Sequence, residues 1–158
     1  MYYYSDDPGA TITSNATPST ANDCAFFKPG ATRTMWLKMI SLTGAMASLT
    51  AISNVRIRLE NWTSTASTAG TAITPTPKGS GTQAATHTAG YGTTVTSGTG
   101  GPLLKGMIGA GATSPNIWAP PNLDEFLDLP AAATQSIDVF NVSALASCVF
   151  EIEATVAE

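Results

Sequence analysis

The chain has 158 residues; Thr and Ala supply 24 each, Ser and Gly 14 each, and charged residues only 11%, against about 25% in a typical soluble domain. A hydrophobic share of 43% is too high for a disordered chain. A formal charge of −4 and a pI near 4.8 argue against a nucleic-acid binder, which carries a basic patch.

Residues 1–22 read as an extended N-terminal arm, because Pro8, Gly9 and Pro18 break any helix and Asn, Thr and Ser fill the gaps. Tyr2, Tyr3 and Tyr4 on this arm are either a docking anchor, Tyr being enriched at interfaces, or a segment folded back onto the same subunit. Residues 23–158 then read as one domain. Cys24–Lys28 ends at the turn dipeptide Pro29-Gly30. Over Arg33–Leu42, Met35, Leu37 and Met39 alternate with Trp36, Lys38 and Ile40; both faces are largely apolar, as in a central strand or one at an interface. Gly44–Thr50 fits either one helical turn or a loop.

The clearest strand is Ile52–Trp62, with Val55, Ile57 and Leu59 on one face and Arg56, Arg58 and Glu60 on the other. Residues 63–71 read as a loop, and Ala72–Pro75 as a short strand that Pro75 and Pro77 suit to a sheet edge. Residues 78–101 hold little to bury and read mainly as a long surface loop, with a weak strand over His87–Val95. Pro102–Ile108 and Pro115–Ala119 are strand-like, and Asn122–Leu129 reads as an acidic turn between prolines. Ser136–Val142 and Ser147–Thr155 alternate again. About eight short strands and no long helix predict an all-β antiparallel β-sandwich, jelly-roll-like, behind the arm.

Chemistry is sparse. The single histidine, His87, lies in Thr-His-Thr-Ala-Gly with no carboxylate near it in sequence, so an exposed loop histidine is expected rather than a member of a triad. Cys24, Cys148 and His87 are too few soft ligands for a zinc site. Asp124, Glu125 and Asp128 could hold calcium or serve as paired carboxylates, but their alternation with Leu123, Phe126, Leu127 and Leu129 reads as an amphipathic turn. The Gly-rich stretches lack the Lys-Ser/Thr ending of a phosphate loop. No catalytic residue, cofactor or metal is expected, and hence no enzyme.

The N-terminal residues lack the basic and apolar regions of a signal peptide, so cytoplasmic synthesis is expected and the Asn-X-Ser/Thr triplets at Asn15, Asn61 and Asn141 are discounted. No segment offers about 20 predominantly apolar residues, so no membrane span is expected. Cys24 and Cys148 fall in an early and the last strand, which pair side by side in a jelly roll; buried thiols and a disulfide both remain open, with the compartment favouring thiols. Arg56 and Arg58, with Arg33 or Lys38 beside them, form either a contact stripe for an acidic partner or a solvated face paired with Glu60, Glu151 or Glu153.

The succession of a polar arm, Ala25-Phe-Phe-Lys-Pro-Gly30, Thr32-Arg-Thr-Met-Trp-Leu-Lys38, Asn54–Trp62, Gly70-Thr-Ala-Ile-Thr-Pro-Thr-Pro77, Ala84-Ala-Thr-His-Thr-Ala89, the Trp118 region and Phe150-Glu-Ile-Glu153 resembles small jelly-roll decoration, or cement, proteins of tailed-bacteriophage capsids. That resemblance covers most of residues 24–156 as order and style. It implies a virion protein on the outer capsid surface that binds the major capsid protein as a homo-oligomer, a trimer rather than a dimer, and ties capsomers together. The residues singled out for capsid or subunit contact are Tyr2, Tyr3, Tyr4, Arg56, Arg58 and Trp118. On this view, removing residues 1–22 weakens capsid binding and leaves the fold intact. The alternative is a receptor- or carbohydrate-binding knob, fibre or baseplate domain, presenting the 78–101 loop and Trp118. A cupin-type enzyme would need several histidines, and the chain has one.

Overall fold

A computed structural model describes residues 1–10, 12–13, 23–44, 55–62, 64–80, 83–96, 98–99, 103–109, 116–119, 127–132, 134–141 and 149–158. Among these residues the chain forms strands and no helix. In chain order the strands are β1 (Tyr3–Asp6), β2 (Ile12–Thr13), β3 (Asp23–Lys28), β4 (Met35–Gly44), β5 (Val55–Trp62), β6 (Thr68–Ile73) and β7 (Thr76–Lys78). They continue as β8 (Thr88–Thr96), β9 (Leu103–Gly109), β10 (Asn116–Trp118), β11 (Leu127–Leu129), β12 (Ser136–Asn141) and β13 (Val149–Ala157). A seven-stranded sheet runs β10-β4-β13-β1-β7, with β11 also on β4 and β2 also on β13; a six-stranded sheet runs β6-β8-β3-β12-β5-β9. All pairings are antiparallel.

One apolar core lies between the sheets. Ala25, Phe27, Ile73, Ala89, Ile137 and Val139 come from the six-stranded sheet, and Met35, Leu37, Ile40, Leu129, Ile152, Ala154 and Val156 from the other. The fold is thus the expected all-β antiparallel sandwich. Strand β13 shows why: Ile152, Ala154 and Val156 are buried while Glu151 is exposed and Glu153 and Thr155 are half-buried, the period of two that sends alternate side chains to opposite faces. Strand β4 keeps this period only in pieces. Thr155 faces Met39 but Val156 faces Leu37, so Lys38 is an extra residue. A β-bulge of this kind shifts the phase, and the fully buried residues are Met35, Leu37 and then Ile40. That phase shift explains why both faces of the segment look apolar in sequence.

Three expectations are corrected. The start of the 1–22 segment is not an arm: β1 lies between β13 and β7, with Tyr4 opposite Val156 on one side and Pro77 on the other; residues 14–22 lie outside the described residues. The weak strand expected over His87–Val95 is present as β8, nine residues paired between β6 and β3. Its Gly90 is small for a packing reason: a Cβ there would lie 2.6 Å from the Phe26 ring. The 63–71 segment is strand from Thr68, entered through a bulge at which Ala69 has φ 63° and Gly70 φ 79°. Leu127–Leu129 is likewise a strand rather than a turn, with Leu129 buried on β4. The edge strand expected over Ala72–Pro75 is the end of β6, at an edge of the six-stranded sheet, and β7, carrying Pro77, forms an edge of the other sheet.

Candidate functional site

Along β1 and the end of β13, four ionisable side chains from four parts of the chain meet. Asp6 closes β1, Glu158 follows β13, Arg33 precedes β4, and His87 precedes β8. Gly30 lets the His87 segment come close, since a Cβ on Gly30 would sit 2.5 Å from the Thr86 carbonyl oxygen. Asp6 and the His87 side chain are both fully buried. Its Nε2 lies 2.9 and 3.1 Å from the two Asp6 carboxylate oxygens, and its Nδ1 lies 2.8 Å from Glu158 Oε1.

Glu158 is held from several directions. The backbone N–H of Thr86 donates to both carboxylate oxygens, at 2.9 and 3.1 Å, and the Thr86 hydroxyl donates to Oε1 at 2.9 Å. The His87 backbone N–H donates to Oε1, and Arg33 Nη1 donates to Oε2 at 3.1 Å. Backbone pairing continues past β1, with Tyr2 N–H donating to the Glu158 carbonyl and Glu158 N–H donating to that of Tyr2. Tyr4 packs edge-on against the imidazole, with ring centroids 5.3 Å apart, and donates its hydroxyl to the Gln83 carbonyl.

This geometry favours one protonation pattern. A neutral imidazole has one N–H and one lone pair, whereas both nitrogens here face carboxylates, which accept and do not donate when ionised. The arrangement therefore suits the imidazolium, giving two cations and two anions in one cluster. Burial by itself lowers the His87 pKa, but hydrogen bonds and charge from Asp6 and Glu158 outweigh it and hold the group above its ordinary value. Burial would raise the Glu158 pKa, yet bonds from Thr86 and His87 keep it below the usual carboxylate value. Both ring nitrogens are engaged by carboxylates, and the side chain is fully buried. The two carboxylates lie on opposite sides of the ring, and among the described residues no three His, Cys, Asp or Glu side chains group as a metal site.

His87 is thus not the exposed loop histidine that its sequence neighbours suggest. Its partners are 81 and 71 residues away, and nothing local marks them. A second buried polar group was equally hidden. Asp138, on what reads as the polar face of β12, is fully buried and accepts the Ser67 hydroxyl. Ser67 N–H donates to Ser136 Oγ at 3.0 Å, and Gly98 N–H to Ser67 Oγ at 2.7 Å. Residues 64–67 and 98–99, bridged between Thr65 and Thr99, supply this cover.

The contact residues expected from sequence are not gathered in one place. Tyr2, Tyr3 and Tyr4 run into and along β1, and Trp118 lies on β10 at the far edge of the same sheet. Arg56 and Arg58 lie on β5 in the other sheet, opposite Ile108 and Gly106 of β9. Lys38 on β4 and Arg33 before it therefore do not extend that basic pair along one sheet, and Glu151 and Glu153 on β13 are not its cross-strand partners. Glu153 instead meets Lys78 at 3.6 Å and accepts the Ser5 hydroxyl at 2.9 Å. Cys24 sits on β3, which pairs with β8 and β12 and not with β13; Cys148 lies outside the described residues, as do Asp124 and Glu125.

Of the tyrosines, Tyr4 is buried, while Tyr2 and Tyr3 are 46% and 44% exposed beside Met1 at 66%. The three tyrosines, Met1, Pro77, Lys78 and Gln83 line a cleft of about 200 Å³, below the roughly 300–1,000 Å³ of sites that enclose a drug-sized ligand. The Arg33 guanidinium lies over the Tyr2 ring, 5.9 Å from its centre, so the ionic cluster also steadies the exposed aromatic patch. Fold and site together define an all-β sandwich whose first and last strands are joined side by side and tied by a buried ionic cluster. No protein-family model matches the chain, and no curated protein or solved structure matches it either.

Proposed function

We propose that the chain is a structural protein of a tailed-phage virion, a decoration protein that binds the outer surface of the capsid as a homo-oligomer, a trimer by preference, and stabilises contacts between capsomers. The observation that carries this reading is the Met1-Tyr2-Tyr3 patch: exposed aromatic side chains, on a paired backbone, beside a cleft sized for a partner's side chain. Tyrosines of this kind are the anchors that interfaces favour. The low-charge composition and the resemblance to cement proteins point the same way. Pairing of the first strand with the last accords with a jelly-roll connection. The physical effect is mass action, since a protein that binds only the assembled shell stabilises it, and an oligomer multiplies weak contacts into avidity.

The test mixes purified protein with expanded, undecorated capsids of its parent phage and measures bound protein and the melting temperature of the particles. Binding with a raised melting temperature is expected, and failure of both overturns the proposal. A Y2S/Y3S variant, with its fold checked by circular dichroism, is expected to bind about tenfold or more weakly. Undiminished binding would move the contact surface elsewhere. The knob alternative rests on the 78–101 segment, in which nine residues form the paired strand β8; specific binding on a glycan array, with none to capsids, would favour it instead.

A further inference from the structure

From the geometry of the buried cluster we infer that His87 is a proton-operated latch: as the imidazolium it fastens β1 and the Glu158 segment to the body of the sandwich, and losing its proton loosens both. The inference stands apart from any capsid role. Both ring nitrogens face carboxylates, Asp6 from β1 and Glu158 after β13. Among the described residues, the charged or titratable groups that face the imidazole or its partners belong to the same set. Arg33 reaches Glu158 from the turn before β4, Tyr4 packs on the ring from β1, and Tyr2 lies under Arg33. Lys78 is engaged with Glu153 and Thr155.

With His87 charged, the set balances at two positive and two negative groups. Deprotonation leaves one nitrogen lone pair against a carboxylate and one buried negative charge in excess. Removing one member of a buried ion cluster is costly because the others remain uncompensated. The segments that the latch holds are short: four residues in β1, and the Glu158 segment, which pairs with Tyr2. Loosening is therefore local and precedes unfolding of the core.

His87 is the only histidine, so its imidazole signals in ¹⁵N-edited NMR are unambiguous in the unaltered protein. The expected spectrum at neutral pH has both ring nitrogens protonated, with a titration midpoint above that of a free histidine. Amide exchange at Tyr2, Tyr3–Asp6 and Glu158, corrected for the intrinsic pH dependence, is expected to accelerate across that midpoint while Ile137 and Val139 stay protected. Each unit by which folding raises the imidazole's midpoint corresponds to about a tenfold change in local opening. A neutral ring at pH 7, or exchange at these amides that does not follow the titration, would overturn the latch. In H87Q the same amides are expected to exchange fast at every pH; if that variant does not fold, the NMR and exchange measurements on the unaltered protein still decide.

Discussion

Among single residues, the contrast between His87 and Arg33 is instructive. Both touch Glu158, but His87 is buried and Arg33 is 28% exposed. Replacing His87 by Gln strands two buried carboxylates and is expected to cost about 3–5 kcal/mol. Replacing Arg33 by Ala removes a pair that water already screens and should cost about 1 kcal/mol or less; chemical denaturation of the two variants checks the ranking. The pH dependence has a definite sign. The His87 pKa is raised, so its contribution is complete below the ordinary value of 6.5 and is lost as pH rises through the folded value. The Glu158 pKa is lowered, so its contribution is complete above the ordinary 4.5 and is lost as pH falls through the folded value. Thermal stability is expected to be greatest between those two ordinary values. H87Q is expected to lose the alkaline decline that the wild type shows, a comparison that cancels the effect of overall charge. None of this was legible in the sequence, because a buried charge is recognised by its neighbours in space. The sequence shows only that His87 sits among small polar residues, and such residues serve equally for a loop and for a close-packed turn.

At the scale of the elements, the strands carrying Ile, Val, Leu and Phe were legible and those made of Thr, Ala and Gly were not. Period-two burial along β13 and the edge position of β7 follow directly from side-chain type. Strand β8 reads only as a weak strand because Gly90 and Gly92 lower its local preference; its place is secured by close packing beneath Phe26. Gly30 plays the same part for the ionic cluster. A methyl group there would meet the Thr86 carbonyl, with its oxygen at 2.5 Å and its carbon at 2.8 Å, and backbone rather than a flexible side chain would have to move. Gly30→Ala is therefore expected to cost about 1–3 kcal/mol and to weaken the Thr86 bonds to Glu158. Denaturation measured at mildly acidic and at alkaline pH checks both effects, since a displaced Thr86 should shrink the difference between the two conditions.

For the whole molecule, the placement of β1 changes what a truncation means. Removing residues 1–22 takes β1 and β2 away from β13 and leaves β7 without the strand it pairs with. It also removes the fully buried Tyr4, worth about 1.5–3 kcal/mol, and Asp6, whose loss leaves His87 half-paired. Together these approach the 5–15 kcal/mol that holds a typical domain folded. The truncated chain is expected to unfold at a markedly lower temperature and to lose part of its near-ultraviolet circular dichroism, in contrast to the undisturbed fold that the reading as an arm implies. Two substitutions at the exposed Tyr2 and Tyr3 are the cleaner probe of docking.

The sheet order also sets a timetable. Strand β13 is central to the seven-stranded sheet, yet it is the last strand in the chain, and Tyr3 waits for Ala157 before it can pair. At 5–20 residues per second a ribosome needs roughly 8–30 s to cover that distance. All six strands of the other sheet have been made by Asn141, before β13. The tyrosine-rich first strand spends the interval without its partner, an unpaired edge of the kind that invites wrong pairing. The tie between β1 and β13 can close only after synthesis has passed Glu158.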